Sequence, residues 1–163
     1  RQGLEAIERI ELIGHPLLRQ RTDRPNVTTG RESQVSAQHA VAVALTRGKA
    51  GLAEFSDHAV ADASLRILGR KVAFVDDASY AVEAATVHLH LRGGQRLEVA
   101  IDIARGARGK PLSDQDIENK VRTLCEYGGS GCNPEPLIDA VWSMDRAADV
   151  GQLMQWVVGI AKP

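Results

Sequence analysis

The segment from Ala84 to Ile103 constrains the fold most, because apolar residues alternate on both sides of a glycine pair. Val87, Leu89 and Leu91 alternate before Gly93-Gly94, and Leu97, Val99 and Ile101 alternate after it. A period of two marks a strand with one buried face, and two such runs around glycines form a hairpin. A two-residue loop at Gly93-Gly94 would set Leu91 opposite Arg96 and scramble the faces. A three-residue loop, Gly93 to Gln95, pairs Arg92 with Arg96 and puts all six apolar residues on one side. That register sets Glu98 opposite His90 and Asp102 opposite Thr86.

The rest of the chain supplies two further strands and several helices. Ile10 and Leu12 alternate with charges up to Gly14-His15-Pro16, which reads as a strand. Val72 and Phe74 face one way on another. Residues 19–32 hold Arg19, Arg21, Arg24 and Arg31 without an apolar period and read as a long loop. Ser33 is expected to cap a helix over 34–46, with Ala37, Val41, Ala44 and Leu45 on its stripe. Leu52 to Phe55 reads as a short helical turn, and Asp62 caps a helix with Leu65 and Leu68 inward. Ser113 with Asp116, and Asn133 with Pro134, start two more helices. A last helix is expected over 149–160. The fold class is therefore α+β: a small, mainly antiparallel sheet of about four strands with helices on one face. Residues 1–110 form its α+β part and 111–163 its C-terminal helices.

Charge excludes several functions. Lys and Arg total 20 against 21 Asp and Glu, a net charge of −1. Nucleic-acid domains carry a basic excess, so no nucleic-acid partner is expected. No apolar run approaches the ~18 residues of a membrane span, so no membrane partner is expected either. Cys125 and Cys132 cannot make a disulfide framework, which favours a cytoplasmic protein. The chain begins at Arg1 rather than Met, which reads as a piece of a longer protein.

The chemistry concentrates at one junction. Thr28 to Ser33 sets hydroxyls, a glycine and Arg31 beside the free N–H groups of a helix start, which favour anions. Arg grips carboxylates with two parallel hydrogen bonds. His39 follows Ser36 by three residues and so shares its face. His88 and His90 share a strand face, which can bind metal, but alternation assigns that face to solvent, and no metal is expected.

The same junction carries a likeness. Pro25 to His39 (PNVTTGRESQVSAQH) followed by AVAVAL at 40–45 resembles the C-terminal part of the MmgE/PrpD family. That family includes 2-methylcitrate dehydratase, cis-aconitate decarboxylase and iminodisuccinate epimerase. Leu52 to Asp62, the hairpin at Arg92-Gly93-Gly94-Gln95, and Gly109-Lys110-Pro111-Leu112-Ser113-Asp114 through Lys120 resemble further family blocks in the same order.

The resemblance implies a lyase or isomerase acting on di- or tricarboxylates, without metal or organic cofactor. It implies a homodimer, an N-terminal helical domain that bears most acid–base residues, and an α+β lid closing over the substrate. Where members carry a substrate-facing Tyr three residues after a Ser, this chain has His39 after Ser36. His39 is thus the expected catalytic residue, and Arg24, Arg31 and Ser36 the substrate-binding ones. The alternative is a non-catalytic anion-binding or oligomerisation module of the same fold.

Overall fold

The structure, a computed structural model, describes residues 3–129 and 131–157. The chain divides into two units, Arg1–Ala107 and Arg108–Pro163.

The first unit opens with strand β1 (Ile7–Gly14). Helices α1 (Pro16–Thr22), α2 (Gly30–Ser33), α3 (Ala37–Arg47), α4 (Asp57–Ala61) and α5 (Ala63–Gly69) follow, with a 3-10 turn at Leu52–Phe55. Strands β2 (Val72–Asp76), β3 (Ala85–Leu91) and β4 (Arg96–Ile101) complete it. The strand order is β2-β1-β3-β4. β3 pairs with β4 antiparallel, as the hairpin expectation has it, and β1 pairs with β3 antiparallel. β1 and β2 run parallel, with Ile10 opposite Val72, so the sheet is mixed. Parallel neighbours need a long crossover, and the five helices α1 to α5 provide it.

One face of the sheet carries the core. Ile7, Ile10 and Leu89 meet Ala42 and Val43 of α3, Ala59 of α4, and Leu65 and Leu68 of α5. Ile7 and Ile10 stand three apart, which would put them on opposite faces of a regular strand. A register shift between Ile7 and Arg9 turns both inward. Arg9, Glu11, His88 and His90 occupy the face turned away from the helices.

The hairpin corrects its expected register. Val87 faces Val99, Leu89 faces Leu97, His88 faces Glu98 and His90 faces Arg96. The turn closes one residue early, on Leu91, whose carbonyl accepts from Gly94 N–H at 3.1 Å and whose N–H donates to Gln95 O at 2.8 Å. Gly93 and Gly94 both have positive φ, +89° and +84°, which only glycine adopts without strain. The slip is two residues, so the apolar residues keep a common face. Ala100, not Asp102, faces Thr86. β4 is an edge strand, and Leu97, Val99 and Ile101 are exposed.

Two helix expectations also change. Residues 19–32 are not all loop: Pro16 and the His15 ring, which accepts from Leu17 N–H at 3.2 Å, start α1 earlier. Arg19 then forms a two-pronged pair with Asp76 at the end of β2. Ser33 ends α2, its hydroxyl donating to Gly30 O at 2.6 Å, and Ser36 caps α3 instead. The buried face of α3 is therefore Gln38, His39, Ala42 and Val43, with Val41 and Leu45 at the margin of the core.

The second unit is helical: α6 (Asp114–Gly128), α7 (Pro134–Trp142), and α8 (Met154–Val157) behind 3-10 turns at Met144–Arg146 and Val150–Leu153. Ser113 and Asp116 form the expected capping box and Asn133 caps α7. The helix expected over 149–160 begins as the second 3-10 turn, and its end lies outside the described residues. Among the described residues of this unit only Ile138 is buried. Arg122 joins Glu135 through two hydrogen bonds of 2.8 and 2.9 Å, and reaches Glu118 at 3.3 Å. No helix among the described residues is long and apolar enough to cross a membrane.

Candidate functional site

A cleft of about 210 Å³ opens between the 25–28 segment, the start of α3 and the end of α5. Asn26, Thr28, His39, Arg66 and Arg70 give it polar groups, and Val60 and Leu65 an apolar wall. Asp62 starts α5 by accepting from Ser64 N–H at 2.9 Å. The Ser64 hydroxyl, first among several hydrogen bonds, holds the Asp62 carboxyl below its ordinary pKa of 3.8. Arg66 and Arg70 then follow at i and i+4, which puts both on one side of the helix end. Neither guanidinium makes a hydrogen bond or ion pair with a described residue.

His39 is 6% exposed and held on two sides. Its Nε2 lies 2.8 Å from the backbone carbonyl of Glu54. A carbonyl can only accept, so that nitrogen carries the hydrogen. The ring also meets Phe55 edge-on at 5.4 Å. In the neutral ring Nδ1 therefore keeps its lone pair. Glu54 is buried beside Arg47 and Lys49, and its carboxylate accepts from Gly51 N–H at 2.9 Å.

The other expected residues separate. Ser36 is buried in the cleft wall, but its oxygen accepts from His39 N–H at 3.2 Å and its hydroxyl donates to Arg24 O at 2.7 Å. It shapes the site through the backbone. Arg24 lines a neighbouring hollow that shares Pro25, Asn26 and Val27 with the cleft. Its guanidinium donates to the Asp23 carbonyl at 2.8 Å. Arg31 is exposed and lines neither hollow.

The backbone donors at the Thr28–Ser33 junction are engaged by the chain's own acids. Glu32 accepts from Thr28 N–H at 2.7 Å and Thr29 N–H at 3.3 Å, and Asp57 accepts from Gly30 N–H at 2.6 Å. The Thr28 N–H, more than its hydroxyl, holds the Glu32 carboxyl below 4.5. The arginines that line the cleft are instead Arg66 of α5 and Arg70 just after it, which the sequence motifs did not single out. Their signal was an Arg pair at helical spacing behind a strong Asp62 cap.

Residues 1–145 match the sequence pattern of the MmgE/PrpD C-terminal domain. The chain belongs to the MmgE/PrpD family. The match covers the whole sheet, the helical crossover and the cleft of this MmgE/PrpD chain. No curated protein matches the chain.

Proposed function

We propose that this MmgE/PrpD chain is the substrate-covering part of a cofactor-independent lyase or isomerase acting on di- or tricarboxylates. The observation that supports the substrate class is the cleft, whose lining brings together two uncommitted arginines and a buried histidine. Arg66 and Arg70 hold one carboxylate, since paired N–H donors match its two oxygens. A second carboxylate extends over the Pro25–Val27 rim toward Arg24. His39, fixed by the Glu54 carbonyl, presents Nδ1 to the substrate. It accepts a hydrogen bond when neutral and donates one only when protonated.

The reaction class is proton removal α to a carboxylate. The freed electron pair then forms a double bond as hydroxide departs as water, or it takes a proton back on the other face. For decarboxylation the pair comes from the C–CO₂ bond and a proton replaces CO₂. The principal base belongs to a helical domain upstream, and the present chain contributes carboxylate clamps and a lid that excludes water.

Turnover by the full-length protein on methylcitrate, cis-aconitate and related acids tests the reading. The expected result is activity in the intact protein, and its loss when Arg66 and Arg70 are both replaced by Ala. Binding of these acids without turnover by the intact protein would instead establish the anion-binding module.

A further inference from the structure

The sheet face away from the helices carries a second constellation. Glu11 on β1 stands opposite His88 on β3, and Arg9 opposite His90. Glu11 Oε2 lies 2.8 Å from His90 Nε2 and 3.4 Å from His88 Nδ1. One donor atom from each of Glu11, His88 and His90 falls within 4.8 Å of the others. The alternation that assigned the two histidines to solvent could not show that a strand distant in sequence places a carboxylate between them.

We propose that Glu11, His88 and His90 form a zinc site, with Oε2, Nδ1 and Nε2 as ligands and water in the fourth position; the ion takes the place of the hydrogen that His90 Nε2 donates to Glu11 Oε2 in its absence. Tetrahedral zinc with ligand bonds of ~2.0–2.1 Å needs ligand atoms roughly 3.3 Å apart. The observed 2.8 and 3.4 Å bracket that spacing. Two histidines and one carboxylate with an open position is a set zinc accepts.

The surroundings fit an ion. His88 Nε2 lies 2.9 Å from Glu98 Oε2, which places a hydrogen on Nε2 and leaves a lone pair on Nδ1. That lone pair faces Glu11 Oε2, so two acceptors meet with no hydrogen between them unless the ring is protonated. A cation between them resolves the contact. Glu98 thereby becomes the outer carboxylate that orients a zinc-bound histidine. Arg9 reaches Glu11 at 2.7 Å through the other oxygen, Oε1, and its second guanidinium nitrogen lies 3.4 Å from His90 Nε2, a contact that the ion would displace. The side chains of His88, Glu11 and His90 are 13%, 18% and 29% exposed, so water can reach the cluster. The ion would tie β1 to β3 and, through Glu98, to β4.

The test uses the whole chain, stripped with chelator and given Zn²⁺ alone, with Co²⁺ as a coloured substitute. One ion per chain is expected, with tetrahedral cobalt absorption. Zinc should move the ring resonances of His88 and His90, but not those of His15, His39 or His58. Glu11→Gln, His88→Gln and His90→Gln should each abolish binding, and Glu98→Gln should weaken it roughly 10–100-fold. The double variant Cys125→Ser, Cys132→Ser should bind as the parent does. No ion retained at micromolar zinc, ring shifts confined to other histidines, or binding lost with the cysteines would each overturn the site. The ring shifts are read on the unaltered chain, so they decide the matter even where a variant fails to fold.

Discussion

The two units of the chain are stabilised by different physics. In the first, Ile10, Val43 and Leu65 are almost fully removed from water between a sheet and a helical layer. In the second, Ile138 is the one buried residue among those described, while Leu124, Trp142, Met154 and Trp156 are exposed. Its order rests on helix caps and on Arg122 between Glu118 and Glu135. Exposed ion pairs are screened by water and contribute little, whereas burying one large apolar side chain contributes about 1.5–3 kcal/mol. Good local sequence signals can therefore build helices without building a stable core.

Separating the units should have the largest effect. Residues 1–107 expressed alone are expected to unfold cooperatively in urea, whereas residues 108–163 alone are expected to show a broad transition without a plateau. A sharp two-state transition in the second piece would end the contrast. Next come core truncations. Leu65→Ala should cost about 2–5 kcal/mol by the usual range for buried Leu, and Leu124→Ala within about 0.5 kcal/mol, as for a surface change. Chemical denaturation of both variants checks the pair.

Close packing sharpens the same contrast. A Cβ added at Gly30 would lie 2.5 Å from Phe55 O and 2.8 Å from Ser56 backbone atoms. Gly30→Ala should therefore cost about 1–3 kcal/mol, the range for overpacking. The second unit offers a control: a Cβ at Gly128 meets nothing within 4 Å.

The smallest effect is on acid stability. A hydrogen bond from His90, above all, holds Glu11 below 4.5, and Ser79 holds Asp77 below 3.8. Arg122 holds Glu135 below 4.5 in the second unit. A carboxylate whose folded pKa is depressed adds stability that is full above its unfolded pKa. That stability is lost as pH falls through the lowered folded value. Denaturation midpoints should therefore hold steady down to about pH 5 and fall below it. A midpoint that rises between about pH 5 and pH 3 would contradict these assignments.

Much of the fold was legible because its signals are local. Alternation found β1, β3 and β4, and Asp62, Ser113 and Asn133 marked helix starts through their own side chains. What failed depended on partners that sequence spacing does not reveal. The α3 start moved because Ser33 turned onto Gly30 and left Ser36 as the cap. The hairpin slipped because its turn closed on Leu91. In the cleft, His39 was visible three residues after Ser36. Arg66 and Arg70 acquire meaning only when α5 is laid beside the 25–28 segment, and Glu11 only when β1 pairs with β3.

The cleft bounded by His39, Arg66 and Arg70 is proposed to receive a polycarboxylate, and the functional reading rests on that. Titrating the chain with cis-aconitate, read by amide shifts and calorimetry, tests it most directly. Shifts are expected at Asn26, Thr28, Arg66 and Arg70. Arg66→Ala or Arg70→Ala should lose about 1.5–3 kcal/mol of binding, the range for a charge-assisted hydrogen bond. Binding that is undiminished in the double variant, or shifts confined to other surfaces, would contradict the proposal.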